Sequence, residues 1–267
     1  MKRKPLRTLI HLLPAALLLL PASCGEELMT TDVDVATPIV ESYLEEGKNT
    51  LSVKLYSMEV YLGEDFVLSK PLSGLTLLVN DKVLEETSTA GSYALDLGSD
   101  TIRGLQEYTL AFEYQGTTVK ATTRVPQPVT RLSIEPGYIT QTYSYYWSDA
   151  DTTAITLSWD DPDRSYYQVY IVSPSTSTVN TPNGAVFGRR MMQPFQGSSH
   201  VMSARDFPTT GYYSIYLYRV NKDYAELYER ISSTDLANPV SFIDNALGIF
   251  TSMSVARIGF SVVESTD

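Results

Sequence analysis

The sequence predicts an all-β protein: two tandem antiparallel β-sandwich domains, the second with one inserted short helix. Three observations carry this expectation. Tyrosine is abundant, at 19 of 267 residues, beside plentiful Thr, Ser and Val, and such side chains suit a pleated, half-buried surface. Short stretches of apolar–polar alternation recur between Gly, Asn, Asp and Pro turn signals, the rhythm of strands in a sandwich. Pro126-Gln127-Pro128 interrupts that rhythm. Each proline lacks an amide hydrogen and restricts its predecessor, so the tripeptide reads as a stiff connector between a domain over 36–125 and another over 129–267.

Two segments precede the first domain. Lys2, Arg3, Lys4 and Arg7 form a basic head, Leu9 to Leu20 is an apolar run of 12 residues, and Pro21-Ala22-Ser23-Cys24 closes it. This is the layout of a secretory signal peptide over 1–23, and the run falls short of the about 20 residues a spanning helix needs. Cys24, the single cysteine of the chain, stands where cleavage is expected. The arrangement resembles the lipobox of bacterial lipoproteins, with Pro21 in the slot where leucine is usual and Leu20 one place further out. That resemblance implies Cys24 as the lipid attachment point and a membrane association through N-terminal lipid. The alternative is an ordinary signal peptide followed by a free thiol. Gly25-Glu26-Glu27 opens a polar tether over 24–35. Acidic residues behind such a cysteine resemble the export signal of surface lipoproteins of Bacteroidota; the alternative is a solvated tether with two glutamates.

Removal of the leader leaves 244 residues, enough to bury one large or two ordinary cores. The leader holds four of the 20 basic residues and none of the 31 acidic ones, so 16 basic side chains face 31 acidic ones and the net charge is −15. A surface of that sign repels phosphate backbones and anionic headgroups, so nucleic acid is not an expected partner. With Cys24 modified, no thiol remains for a disulfide or a thiolate metal site.

In the first domain, Ile39 to Leu44 reads as a strand and Gly47-Lys48-Asn49 as a turn. Leu51, Val53 and Leu55 alternate with Ser52, Lys54 and Tyr56, the period-two pattern of a half-buried strand. Leu75 to Asn80 and Lys82 to Glu86 flank a tight turn at Asn80-Asp81. Gly91-Ser92-Tyr93 leads into Ala94 to Leu97; Tyr108, Leu110, Phe112 and Tyr114 share a face, and Gln115-Gly116 turns the chain into Thr117 to Val125. The G-x-Y segment followed by the Y-T-L-x-F hairpin resembles transthyretin-like, immunoglobulin-like and carboxypeptidase-regulatory-like modules, which implies binding or bracing of partners.

In the second domain, Arg131 to Glu135 reads as a short strand turned by Pro136-Gly137. Ile155, Leu157 and Trp159 alternate inward, Asp160-Asp161-Pro162-Asp163 is turn chemistry, and Tyr166 to Ser173 is the next strand. Together these resemble the middle of a fibronectin type III or immunoglobulin-like domain. Ser173 to Gly184 reads as a long loop, and Tyr212 to Val220 as a strand with Tyr213, Ile215, Leu217 and Arg219 on one face. Over 222–232 the period changes. Tyr224, Leu227, Tyr228 and Ile231 stand at i, i+3, i+4 and i+7, one stripe of a three-turn helix with Asn221 as its expected N-cap. Ile249 to Val263 is a long strand or a bulged pair.

Longer motifs add a family resemblance. They are the P-x-V-E-x-Y-L strand (Pro38 to Leu44), the W-x-D-P-x-x-x-Y-Y centre (Trp159 to Tyr167), the D-Y-A-E-L-Y-E-R-I helix, and Asn238-Pro239-Val240 with Asn245 to Phe250. The chain resembles an uncharacterised domain-of-unknown-function family of Bacteroidota outer-membrane lipoproteins, often encoded beside TonB-dependent receptors. Ala246-Leu247-Gly248 departs from the glycine pair more usual there. The resemblance implies a TonB-dependent outer-membrane receptor as partner.

No constellation for catalysis emerges. His200 is the single histidine outside the leader, and its neighbours Ser198 and Ser199 lack a G-x-S-x-G elbow. There is no zinc spacing and no phosphate-binding glycine loop, so neither a metal nor a cofactor is expected. Asp149-Ala150-Asp151 and Asp160 to Asp163 offer oxygen ligands for Ca²⁺ but miss the calcium-loop pattern, and Asp is common in turns for its own hydrogen bonds. Asp100-Thr101-Ile102 and Asp151-Thr152-Thr153 match a short O-glycosylation pattern of this bacterial group. Aromatic residues are the stronger lead. Tyr143, Tyr145, Tyr146 and Trp147 are a stacking platform if they lie in a loop, or core if they lie in a strand. Phe187, Arg189, Met191, Met192 and Phe195 form a second candidate contact surface, or a hairpin crossing the sandwich end. The expectation is a non-enzymatic, surface-exposed outer-membrane lipoprotein assisting a TonB-dependent receptor. The alternatives are a stand-alone glycan- or host-protein-binding adhesion module and, with least support, a hydrolase.

Overall fold

Alternation along the strands builds the first core. The computed structural model describes residues 37–60, 67–141, 153–173, 189–232 and 242–264. Strand β1 (Ile39–Glu45) buries Val40, Ser42 and Leu44 and turns Glu41, Tyr43 and Glu45 to the other face. β2 (Thr50–Val60) runs antiparallel to it, with Leu51, Val53 and Leu55 on the buried side, and β3 (Val67–Pro71) returns alongside. β4 (Leu77–Val79) and β5 (Lys82–Glu86) meet across Asn80 and Asp81, at φ 48° and 62°. Two successive positive φ values are the mark of the type I′ turn, whose twist matches that of the strands. β6 (Ser92–Asp96) pairs with β2 and β5, and β7 (Glu107–Tyr114) with β8 (Thr117–Arg124) forms the second expected hairpin. β5 is the corner, bonded to β6 in one layer and β4 in the other. Leu51, Val53 and Leu55 share one buried cluster with Tyr93, Val79, Leu110, Phe112 and Val119, which together exclude water from between the layers.

The second core is a three-stranded layer over the large sheet. β9 (Ser133–Glu135) precedes β10 (Tyr138–Gln141); β11 (Ala154–Ser158) is followed by β12 (Tyr166–Val172). Then come the short β13 (Arg189–Met191) and β14 (Phe195–Gln196), β15 (Ser199–Ser203), a 3-10 turn at Ala204–Asp206, and β16 (Gly211–Val220). The order β15-β11-β9 places Ile155 and Leu157 against Val169, Ile215 and Leu217 of β12 and β16. The helix α1 (Lys222–Ser232) follows β16 directly, over the expected residues.

β17 (Leu247–Glu264) joins the two halves. Its beginning pairs in parallel with β1, from Ile39↔Leu247 to Glu45↔Met253; its later part runs antiparallel to β16, and its end runs parallel to β10. One sheet therefore continues as β13-β12-β16-β17-β1-β2-β6 and on through β5. Ile243, Ala246 and Phe250 enter the first core, whereas Phe260 and Val262 enter the second. The expected boundary at 126–128 describes the outgoing chain only, because the returning chain crosses it. Alternation shows that β17 has a buried face but not which core receives it.

The connector is pinned at this crossing. The Gln127 carbonyl accepts from Arg219 Nη1 at 3.2 Å and Ser254 Oγ at 3.0 Å, and Val125 is fully buried. Asn221 holds the expected N-cap position, its carbonyl accepting from Ala225 N–H at 3.3 Å, but its side chain works at the crossing. Its Nδ2 lies 3.1 Å from Thr123 Oγ1, 3.2 Å from the Arg124 carbonyl and 3.1 Å from Ser252 Oγ. The carboxamide nitrogen serves oxygens gathered by β8 and β17, and the Tyr224 amide donates to Asp223 Oδ1 at 2.7 Å.

Candidate binding groove

Placing α1 beside the joined sheet creates an apolar recess. Outward positions of β1 supply Tyr43 and Glu45, those of β12 supply Gln168 and Tyr170, and β16 supplies Tyr218. The helix faces them with Tyr224, Leu227 and Tyr228, three members of the expected stripe, while Ala225 is its buried contact. Met191 and Met253 complete a cavity of about 430 Å³, within the size range of small-molecule pockets.

Three contacts hold the helix in register. Thr251 Oγ1 donates to Asp223 Oδ1 at 2.9 Å, and Tyr224 O–H donates to Gln168 Oε1 at 2.8 Å. Gln168 is buried and spends its own Nε2 on the Met192 carbonyl at 2.9 Å. The Tyr224 ring meets Tyr43 edge-to-face, 6.0 Å between centroids at 86°, the arrangement in which the positive edge of one ring meets the negative face of another. A ladder of rings leaves the cavity along the same sheet face: Tyr218 stacks with Tyr216 at 6.4 Å and 19°, and Tyr216 lies 6.1 Å from Tyr170. Arg257 sits 5.7 Å over the Tyr216 ring.

The phenols of the cavity stay neutral. Burial pushes Tyr43 up to about 12, with Glu41 and Tyr224 adding repulsion, and pushes Tyr218 up to about 12, with Glu45 adding to it. Tyr224 is raised by burial against the opposing hydrogen bond to Gln168. Burial also raises the Asp223 carboxyl, partly offset by the bond from Thr251. Low dielectric disfavours each charged form. The described walls of the cavity offer neutral rings, two thioethers and one carboxylate.

A second recess lies at the crossing of the halves, about 450 Å³, with Arg124, Arg164, Arg219 and Lys222 among its walls. Its central cation is committed to structure. Arg219, 3% exposed, donates Nε to Ser165 Oγ at 2.9 Å and Nη1 to Gln127, and pairs through Nη2 with Asp163. The expected face of Tyr213, Ile215, Leu217 and Arg219 is thus buried to its last member.

The residues singled out in the sequence separate in space. Cys24, Tyr143, Tyr145, Tyr146, Trp147 and Phe187 lie outside the described residues. Arg189, Met191, Met192 and Phe195 do not form one surface. Met191 is 50% exposed and faces the tyrosine cavity, whereas Arg189 borders a shallow depression beside Tyr213. Met192 and Phe195 pack against the second core, Phe195 at 5.9 Å from Trp159. The short edge strands alternate, and alternation sends neighbours to opposite faces. His200 stacks on Phe195 at 4.6 Å and 29°, and burial lowers its pKa against the pull of Asp206. Asp161 Oδ1 accepts from Ser165 N–H at 3.0 Å and Tyr167 O–H at 3.1 Å, and Asp160 Oδ2 from Thr130 Oγ1 at 3.2 Å. These carboxylates do turn work, and no metal-sized cluster of acidic, His or Cys side chains occurs among the described residues. Thr101 is exposed beside buried Ile102, and Asp151 and Thr152 lie outside the description. No helix among the described residues is long and apolar enough to cross a membrane.

Sequence reasoning missed the cavity because period two assigns Tyr43, Tyr170, Tyr216 and Tyr218 to solvent. A signal was present: these outward positions carry tyrosine where a solvated strand face carries Lys, Glu or Thr.

No family model and no curated protein matches the chain. Similar solved structures include a multi-domain fragment of titin, 11% identical, with 85% of this chain and 66% of that one covered at a TM-score of 0.23. A cytokine receptor complex matches at 11% identity, covering 85% and 98%, at 0.28. Domains 4–9 of the surface layer protein SbsC match at 13% identity, covering 87% and 32%, at 0.22. The chain spans just under two thirds of the titin fragment and about a third of the surface-layer fragment. Superposition at these scores is poor, and the all-β sandwich assignment rests on the chain's own strand pairing and two cores.

Proposed function

We propose that this chain is a non-enzymatic lipoprotein, anchored through Cys24 in the outer membrane and facing the cell exterior, that captures a ligand and assists a TonB-dependent receptor. The observation that carries the reading is the tyrosine-lined cavity: its described walls are mostly neutral rings, thioethers and Leu227, which bind by contact, with Glu45 as their single carboxylate. The signal-peptide layout and the small-residue approach to Cys24 support the anchor, and the family motifs from Pro38 to Leu44 and from Trp159 to Tyr167 support the receptor. His200 is a poor general base, being stacked on Phe195 with burial disfavouring its charged form.

The test is a native pull-down from outer membranes with the tagged full chain. A TonB-dependent receptor co-purifies with the wild-type protein and is lost with Cys24→Ala, which leaves the membrane fraction. Membrane retention of Cys24→Ala would remove the anchor. Wild-type protein enriching no receptor would remove the partnership.

A further inference from the structure

We propose that the tyrosine cavity selects an organic cation, a small ligand with a quaternary or alkylated ammonium head. The inference deepens the ligand-capture reading above and rests on it. Four observations converge. Among the described residues, the walls include five tyrosines, one glutamate and no lysine or arginine. The electron-rich faces of aromatic rings attract cations, and quaternary ammonium groups favour cages built of such rings. Tyr43 and Tyr224 already form a perpendicular corner, 86° apart, so a guest meets a second ring whichever wall it approaches.

The same ladder accepts a cation elsewhere. Arg257 lies 5.7 Å over Tyr216, and Tyr216 is stacked on Tyr218 of the cavity wall. The sheet therefore carries an intramolecular example of the contact at one end and an open aromatic recess at the other. Charge is complementary. Glu45 lines the recess, its pairing with Lys48 at 3.6 Å leads to a side chain that is 63% exposed, and Glu41 acts on Tyr43 from nearby. The whole mature chain would carry net −15, sixteen basic residues against 31 acidic, which attracts cations and repels anions.

Hydrogen-bonding ligands are served less well. The Tyr224 hydroxyl donates to Gln168 Oε1, and Gln168 Nε2 gives one N–H to the Met192 carbonyl. Both polar groups are thereby turned toward the protein's own atoms. Alkyl substituents of an ammonium, by contrast, match Met191, Met253 and Leu227.

The experiment titrates the lipidated full chain, held in nanodiscs of neutral lipid, with three probes of one shape: phenyltrimethylammonium, its neutral isostere tert-butylbenzene, and benzenesulfonate. The cation should bind at least about tenfold more tightly than the neutral isostere, a difference of about 1.4 kcal/mol, and benzenesulfonate should not bind. Glu45→Gln and Tyr43→Leu, each checked for an unchanged circular dichroism spectrum, should weaken the cation by a larger factor than tert-butylbenzene. Equal affinity for cation and neutral isostere overturns the proposal, because the cavity would then be merely apolar. Binding of none of the probes overturns it too. Receptor co-purification is read separately with the same two variants, so loss of cation selectivity with the receptor retained leaves the receptor partnership standing.

Discussion

At the scale of single residues, Gly248 fixes the register between the halves. Its φ is +93°, and it stands opposite Val40 at the start of the parallel β1–β17 pairing. A Cβ there would lie 2.1 Å from the Val40 carbonyl oxygen, a backbone atom that cannot step aside without breaking the ladder. Gly47 separates the two costs of such a change. Its φ is +83°, yet nothing lies within 4 Å of an added Cβ. Gly47→Ala carries only the left-handed backbone penalty, about 1–2 kcal/mol, whereas Gly248→Ala adds overpacking of about 1–3 kcal/mol. Denaturant unfolding should show the Gly248 variant as the less stable of the two, with a midpoint shift about twice as large. Equal shifts would mean that β17 can move away from β1 at little cost.

At the scale of elements, Asn221 shows where sequence logic ends. An Asn before an amphipathic stripe reads as an N-cap, and the helix over Lys222–Ser232 does form there. The N-cap task needs only a side-chain oxygen, so an acceptor such as Asp or Ser would replace it. The observed task needs a donor, for the Arg124 carbonyl and the hydroxyls of Thr123 and Ser252 lie 3.1–3.2 Å from Nδ2. Asn221→Asp should therefore cost about 1–3 kcal/mol, close to the cost of Asn221→Ala, when measured by chemical denaturation. A neutral Asp variant would restore the capping role. The same distinction explains how much of the fold could be read beforehand. Strand faces such as Leu51, Val53 and Leu55, the Asn80-Asp81 turn and the helix stripe are local patterns with a period or a dihedral requirement of their own. The parallel docking of β17 on β1 is non-local, 208 positions apart at Ile39↔Leu247, and no period encodes it. The cavity was illegible for a related reason: it is made by side chains that each look solvent-facing within their own strand, and only the placement of α1 turns them inward. Tyr143 to Trp147, the most aromatic run in the sequence, lies outside the described residues.

At the scale of the whole molecule, ionisable groups set different behaviour at the two ends of the pH range. On the acid side the contributions conflict. Glu86, lowered by the amides of Gly74 and Gly91, stabilises the fold above its unfolded pKa, and that stability is lost as pH falls through the folded value. Burial lowers His200, so its protonation acts in the same direction below 6.5. Burial raises Asp223 and Glu46, whose contribution is instead present at low pH and lost as pH rises through their folded values. On the alkaline side the signs agree. Burial raises the phenols of Tyr56, Tyr93, Tyr108 and Tyr224, and takes Tyr43, Tyr167 and Tyr218 to about 12. The folded chain holds these protons more tightly than the unfolded chain, so their stabilisation is complete below pH 10 and is lost between pH 10 and 12. Ultraviolet difference absorbance should show a class of phenols ionising late in the native protein, and the urea midpoint should fall steeply across that window. Tyr43→Phe and Tyr218→Phe together should flatten the fall without changing the acid limb. A native titration in which the phenols ionise together near 10 would show that burial does not hold their protons, and the alkaline fall in stability would then have another source.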